Sequence, residues 1–188
     1  MTNYTFHKTS TSSGARKEAL EKIEDLYGSV PNVLGALAES PAALNAYHDA
    51  ARAVETMTFA RTEIHVIWFA LNLEHGCHYC MAAHTPGAIH DNVPDDVLAT
   101  ARAGGPYADK KLEALRVFTL VMVRERGWAS PEAVDAFLSA GFTRENIFEI
   151  IAIIAQKIMT NYTNHIADTP LDQRYQEHYW ANQDAAVE

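Results

Sequence analysis

The sequence has no basic run, no long apolar run and only two cysteines among its 188 residues. Fifteen basic against 24 acidic residues leave a net charge of −9, which excludes a phosphate-tracking nucleic-acid surface and disfavours anionic membranes. The longest unbroken apolar stretches, Val66–Leu71 and Ile150–Ala155, fall far short of the roughly 20 residues of a membrane span. Met1 to Lys17 is polar and rich in Ser and Thr, without the apolar centre of a secretory signal, so a cytoplasmic location is expected. In that compartment structural disulfides are rare, and a close cysteine pair does redox or metal chemistry instead. No segment alternates like a strand, so the expected class is all-α.

What is present reads as one compact helical domain over residues 16–180, between a flexible arm at 1–15 and a polar tail at 181–188. A faint echo between the halves fits an internal helical duplication. Ala19, Leu20, Ile23 and Leu26 recur at helical spacing and Gly28 stops them. Ser40-Pro41 opens a helix to about Met57, as Ser130-Pro131 does later. The segment from Arg61 to about His75 is apolar nearly all round and therefore belongs at the centre of the domain. Further helices are expected from Pro94 to Gly104, Lys110 to Arg126 and Thr143 to about Ile166, with a last short one after Thr169-Pro170.

Between the central helix and the Pro94 turn lies the stretch with chemistry in it. Gly76 breaks the pattern, and Cys77-His78-Tyr79-Cys80-Met81-Ala82-Ala83-His84 follows. On a helix Cys77, Cys80 and His84 fall within roughly 60° of one face. Two thiols that can bridge, beside an imidazole, make a redox site with its own base: a thiolate that attacks a peroxide becomes a sulfenic acid, which the second thiol converts to a disulfide. Cys77 sits where helix N-terminal amides favour negative charge, an argument that would make Cys77 the attacking thiol. The same residues allow a zinc site completed by His84 and one of His75 or His78, or a non-catalytic redox sensor, or two cysteines that merely fill a core. Haem attachment is excluded, because Met81 and not histidine follows Cys80. Glu63 and His65, polar residues at the head of the apolar helix, are candidate site residues, while Trp68 and Tyr79 are expected to pack.

From Glu63 through Thr85 the chain resembles the alkylhydroperoxidase D-like branch of the carboxymuconolactone decarboxylase superfamily. The likeness rests on Cys-x-x-Cys-x-x-x-His with tyrosine inside the pair and Ala-Ala before the histidine. It extends to Val30-Pro31-Asn32, Ser40-Pro41-Ala42, Asn161-Tyr162-Thr163-Asn164-His165 and Thr169-Pro170-Leu171-Asp172. The resemblance implies an all-helical homo-oligomer, trimeric or hexameric, that reduces hydroperoxides without metal or organic cofactor and is reset by a dithiol, a thioredoxin-like protein or a lipoyl group. It implies further that Cys80 attacks and Cys77 resolves. The proton-relay glutamate of that branch stands twelve residues before the first cysteine, where this chain has His65. Glu63 is the nearest carboxylate and the expected substitute, pairing with His84 to stabilise an imidazolium beside the thiolate.

Overall fold

The computed structural model describes residues 4–181, and among these there are nine α-helices, two 3-10 turns and no strand. The chain is all-α, as its composition predicts. The helices are α1 (Gly14–Tyr27), α2 (Asn32–Leu37), α3 (Pro41–Val54), α4 (Arg61–Glu74), α5 (His78–His90), α6 (Asp95–Ala103), α7 (Lys110–Arg124), α8 (Pro131–Ser139) and α9 (Arg144–Ala167). Their ends follow the caps legible in the sequence. The hydroxyls of Ser40, Ser130 and Thr143 accept amides of the first turns of α3, α8 and α9.

Helix α4 is the hub and packs against α5, α6, α7 and α9. Phe69, Ile67 and Leu71 on it are buried, and Phe118, Phe137 and Phe142 stack beside them in the larger of two apolar clusters. The second cluster joins α1, α2 and α3 through Leu20, Ile23, Leu34 and Leu44, and it contains Cys77, Tyr79 and Cys80. The thiols thus lie at the seam between the central helices and the N-terminal three.

The expected flexible arm is docked from residue 4 onward. The His7 amide donates to the Gly35 carbonyl at 3.1 Å and its ring reaches Glu39 at 3.2 Å. Gly35 is what permits this: a Cβ there would meet the His7 carbonyl oxygen at 2.8 Å. The sequence around Thr9 looks unable to bury anything, but backbone pairing with α2 needs no apolar side chain. Residues 1–3 and the tail beyond Ala181 lie outside the described residues.

Candidate functional site

The turn between α4 and α5 sets the thiols. Gly76 takes a left-handed conformation at φ 62°, its amide donates to the Leu73 carbonyl at 2.9 Å, and the Cys77 amide donates to the Asn72 carbonyl at 2.8 Å. That is a Schellman closure of α4, and glycine is needed at its left-handed position. It delivers Cys77 as the N-cap of α5 and Cys80 into the first turn. Both are free and almost wholly buried, Cys77 at 1% and Cys80 at 3% exposure.

The polar groups around the sulfurs come mainly from α9, whose Lys157, Asn161 and Asn164 are not among the site residues expected from the sequence. Asn164 Nδ2 donates to Cys80 Sγ at 3.2 Å and to Cys77 Sγ at 3.4 Å. Asn161 donates to Asn72 Oδ1 at 3.1 Å and lies against Cys77. Lys157, only 3% exposed, places Nζ 2.8 Å from His84 Nε2. With the ammonium donating, Nε2 is the acceptor and the ring proton sits on Nδ1. Lys157, Asn161 and Asn164 are spaced four and three residues apart, so they form one polar stripe along a helix that is otherwise largely apolar. That spacing is the one sequence signal that points to them, and it equally fits a solvated face.

These surroundings divide the two thiols. The Cys80 thiol donates towards Cys77, and Asn161 and the Lys157 cation add to it, so Cys77 is held well below the ordinary thiol range despite its burial. Burial and the neighbouring Cys77 push Cys80 well above that range. The pair therefore keeps one proton, on Cys80. We expect the thiolate absorbance near 240 nm to show one thiolate per chain with a midpoint below about pH 7, and to lose that step in Cys77→Ser.

His84 is neutral. Burial first, then the Lys157 cation, then His65 drive its imidazole well below its usual value. This corrects the expected thiolate–imidazolium pair: the cation beside the thiols is Lys157. Glu63 does not join the cluster either. Its Oε2 accepts the Ala60 amide at 2.9 Å and its Oε1 pairs with Lys111 Nζ at 2.7 Å, which completes the α4 N-terminus and ties it to α7. A buried carboxylate needs partners, and Glu63 finds them away from the sulfur. His65 turns the other way round α4 and places Nε2 2.9 Å from Asp91 Oδ2, a carboxylate also held by Arg61. Burial leads and lowers the His65 imidazole. Its Nδ1 is buried without a partner among the described residues.

A cavity of about 460 Å³ runs along this cluster. Cys80, His84, Lys157 and His65 line it; Cys77 does not. Trp68 and Tyr79, expected only to pack, also face it. Trp68 lies with its ring 5.2 Å from that of His65 and 4.8 Å from that of His84, and its Nε1 donates to Gln156. The Tyr79 hydroxyl donates to Asp172, which also takes the Asn32 amide at 3.2 Å and so pins the C-terminal turn to α2. Of the other ligands a metal would need, His75 is engaged by Asn161 and His78 by the Trp180 carbonyl. Among the described residues no group of three or more His, Cys, Asp and Glu side chains is arranged to hold a metal ion. None of the helices is long and apolar enough to cross a membrane.

No family model and no curated protein matches the chain. Solved structures do. A peroxidase-related protein from Ralstonia eutropha JMP134, described as an alkylhydroperoxidase AhpD core, superposes with a TM-score of 0.76 at 21% identity over 92% of this chain and 93% of that one. A peroxidase-related protein from Silicibacter sp. TM1040 gives 0.73 at 19% identity over 93% and 97%. The debrominase Bmp8, as a cysteine-to-alanine variant in complex with 2,3,4-tribromopyrrole, gives 0.77 at 16% identity over 95% and 96%. The chain therefore has the alkylhydroperoxidase D-like fold over nearly its whole length, in agreement with the likeness carried by its cysteine motif.

Proposed function

We propose that the protein is a thiol-dependent peroxidase in which Cys80 attacks and Cys77 resolves. The observation that carries this reading is that Cys80 alone of the two sulfurs lines the cavity, while Cys77, the charged one, waits behind it. A hydroperoxide in the cavity meets the Cys80 sulfur, which becomes the attacking thiolate as the shared proton shifts to Cys77. The O–O bond breaks, sulfur takes the terminal hydroxyl as a sulfenic acid, and the departing alkoxide takes the proton that the pair had held. The Cys77 thiolate then attacks the Cys80 sulfur, the disulfide forms, and hydroxide leaves with a further proton drawn from solvent past His84 and Lys157. One thiol, one thiolate, one hydroperoxide and one proton thus give a disulfide, an alcohol and water. An external dithiol, small or carried by a thioredoxin-like or lipoyl partner, resets the pair. The site calls on no metal or organic cofactor for this, and a reducing, cytosol-like compartment suits it.

The test is thiol counting. One equivalent of cumene hydroperoxide is expected to take the chain from two titratable thiols to none, and excess dihydrolipoamide to restore both. Two free thiols after peroxide would overturn the reading. A second reading uses the same sulfurs on a carbon–halogen bond. An aryl halide would give up its halogen to Cys80 and take a proton, and Cys77 would then expel halide as the disulfide forms. The aromatic lining of the cavity and the likeness to Bmp8 favour it, and halide release with a halopyrrole would distinguish it.

We propose also that the protein assembles with copies of itself, as a trimer or hexamer. Phe148, Ile151, Tyr162 and Ile166 lie within roughly 60° of one face of α9 and are exposed, Phe148 at 72% and Ile166 at 68%. An apolar stripe of this extent is unusual on a monomer. Light scattering at micromolar concentration is expected to give a multiple of the 20.8 kDa chain mass, and the double variant Phe148→Asp/Ile166→Asp the single chain.

A further inference from the structure

Lys157 is out of keeping with its place. It is buried on the cavity wall, and among the described residues it forms no ion pair with any carboxylate. Its ammonium has three donors, and its one hydrogen bond to a side chain goes to the neutral ring of His84. A buried cation without a counter-charge is costly, and evolution of a cavity wall has many apolar alternatives. The carboxylates at the mouth of the cavity do not serve, because Glu55 and Asp91 are both taken by Arg61, and Asp91 also by His65. In the dithiol form the Cys77 thiolate lies within electrostatic reach of Lys157 and is favoured by it. Once the sulfurs are joined, that charge is gone and the cation faces the cavity alone.

The rest of the wall describes what could come to it. Tyr27, Tyr47, Tyr175 and Trp68 line the same space with Val33 and Leu34. About 460 Å³ suits one ring or two fused rings, and the aromatic walls suit a flat one.

We propose that the cavity binds small aromatic anions, the ring against Trp68 and the tyrosines and the charged oxygen on Lys157, and that the disulfide form binds them more tightly than the dithiol form. The redox half of this rests on the peroxidase reading; the anion site does not. The class comprises aryl carboxylates and phenolates, including aryl hydroperoxides that carry a carboxylate, and the alcohols they leave. Because binding and oxidation are linked, such an anion favours the disulfide by the same factor by which the disulfide favours it.

Calorimetric titration with benzoate and with its neutral isostere benzamide tests this on the whole protein, once as the dithiol and once after closing the disulfide with diamide, so that no peroxide is needed. Benzoate is expected to bind the disulfide form at least about tenfold more tightly than benzamide, and at least about tenfold more tightly than it binds the dithiol form. Lys157→Met is expected to abolish both preferences and Lys157→Arg to keep them. Equal binding of benzoate and benzamide, absence of benzoate binding to the disulfide form, or an unchanged preference in Lys157→Met overturns the proposal. The wild-type contrast decides the matter even where Lys157→Met fails to fold. A pair that diamide cannot close defeats the redox coupling and the peroxidase reading together, while benzoate against benzamide on Cys77→Ser, which lacks the thiolate charge without needing a disulfide, still decides the anion site.

Discussion

Cys80→Ser is expected to lose reaction with cumene hydroperoxide by at least about a thousandfold, while Cys77→Ser still reacts once and stops. In Cys77→Ser the product is a sulfenic acid on Cys80, trappable by dimedone, with no disulfide. Its first step should be no slower than in the wild type. Burial and the hydrogen bond and charge of Cys77 hold the Cys80 thiol up, whereas Lys157 and Asn164 pull it down. Removing Cys77 leaves the second pair of influences in place and lets more of the Cys80 thiolate form. In Cys80→Ser the remaining thiolate sits behind the serine, off the cavity and 1% exposed, where a peroxide cannot reach it. Rapid oxidation of Cys80→Ser with dimedone found on Cys77 would reverse the assignment.

The two cysteines pull the available arguments in opposite directions, and the structure shows why. Reasoning from the helix N-terminus alone makes Cys77 the attacker, whereas its thiol is held low first by the hydrogen bond from Cys80. Reasoning from family likeness makes Cys80 the attacker, which suits the one sulfur open to a ligand. Charge and access belong to different sulfurs here. The charge follows first from the hydrogen bond between the two thiols and the burial of Cys80, with Asn161 and Lys157 adding to the lowering of Cys77. The access follows from which sulfur lines the cavity.

What was legible is what depends on neighbours in sequence. Helix ends follow Ser40, Ser130, Thr143, Gly28 and Gly104 because a cap acts within four residues. The grouping of Cys80 with His84 follows from one turn of helix. Glu63 points away from the sulfurs because its cost of burial is met by an amide three residues before it and by a lysine on α7, and only the first is visible locally. Asp91, which orients His65, lies just past the end of α5 and looks like a turn residue. The polar stripe on α9 looks like a solvated face until the partner helices are in place.

Removing the charge of Lys157 should therefore do to the thiols what removing Glu63 cannot. In Lys157→Met the Cys77 thiolate loses its cation, and the midpoint of the absorbance near 240 nm is expected to rise by at least about one pH unit. The sign follows from the charge: a cation favours the ionised thiol, so its loss moves ionisation to higher pH and lowers the thiolate fraction on the acid side. With the Cys77 thiol held at about 5, peroxide turnover should fall about fivefold near pH 5 and change little at pH 7. Glu63→Gln should leave both the midpoint and the turnover profile where they are, since its carboxylate is bound to Lys111 and the Ala60 amide. Its cost is to folding, about 1 kcal/mol or less, because Lys111 is half exposed and glutamine can still accept the amide. His65→Asn should also leave the midpoint nearly unmoved, because the imidazole is turned to Asp91 and holds no charge near Cys77. A rise in the midpoint with Glu63→Gln and none with Lys157→Met would return the relay to α4 and remove Lys157 from the chemistry of the pair.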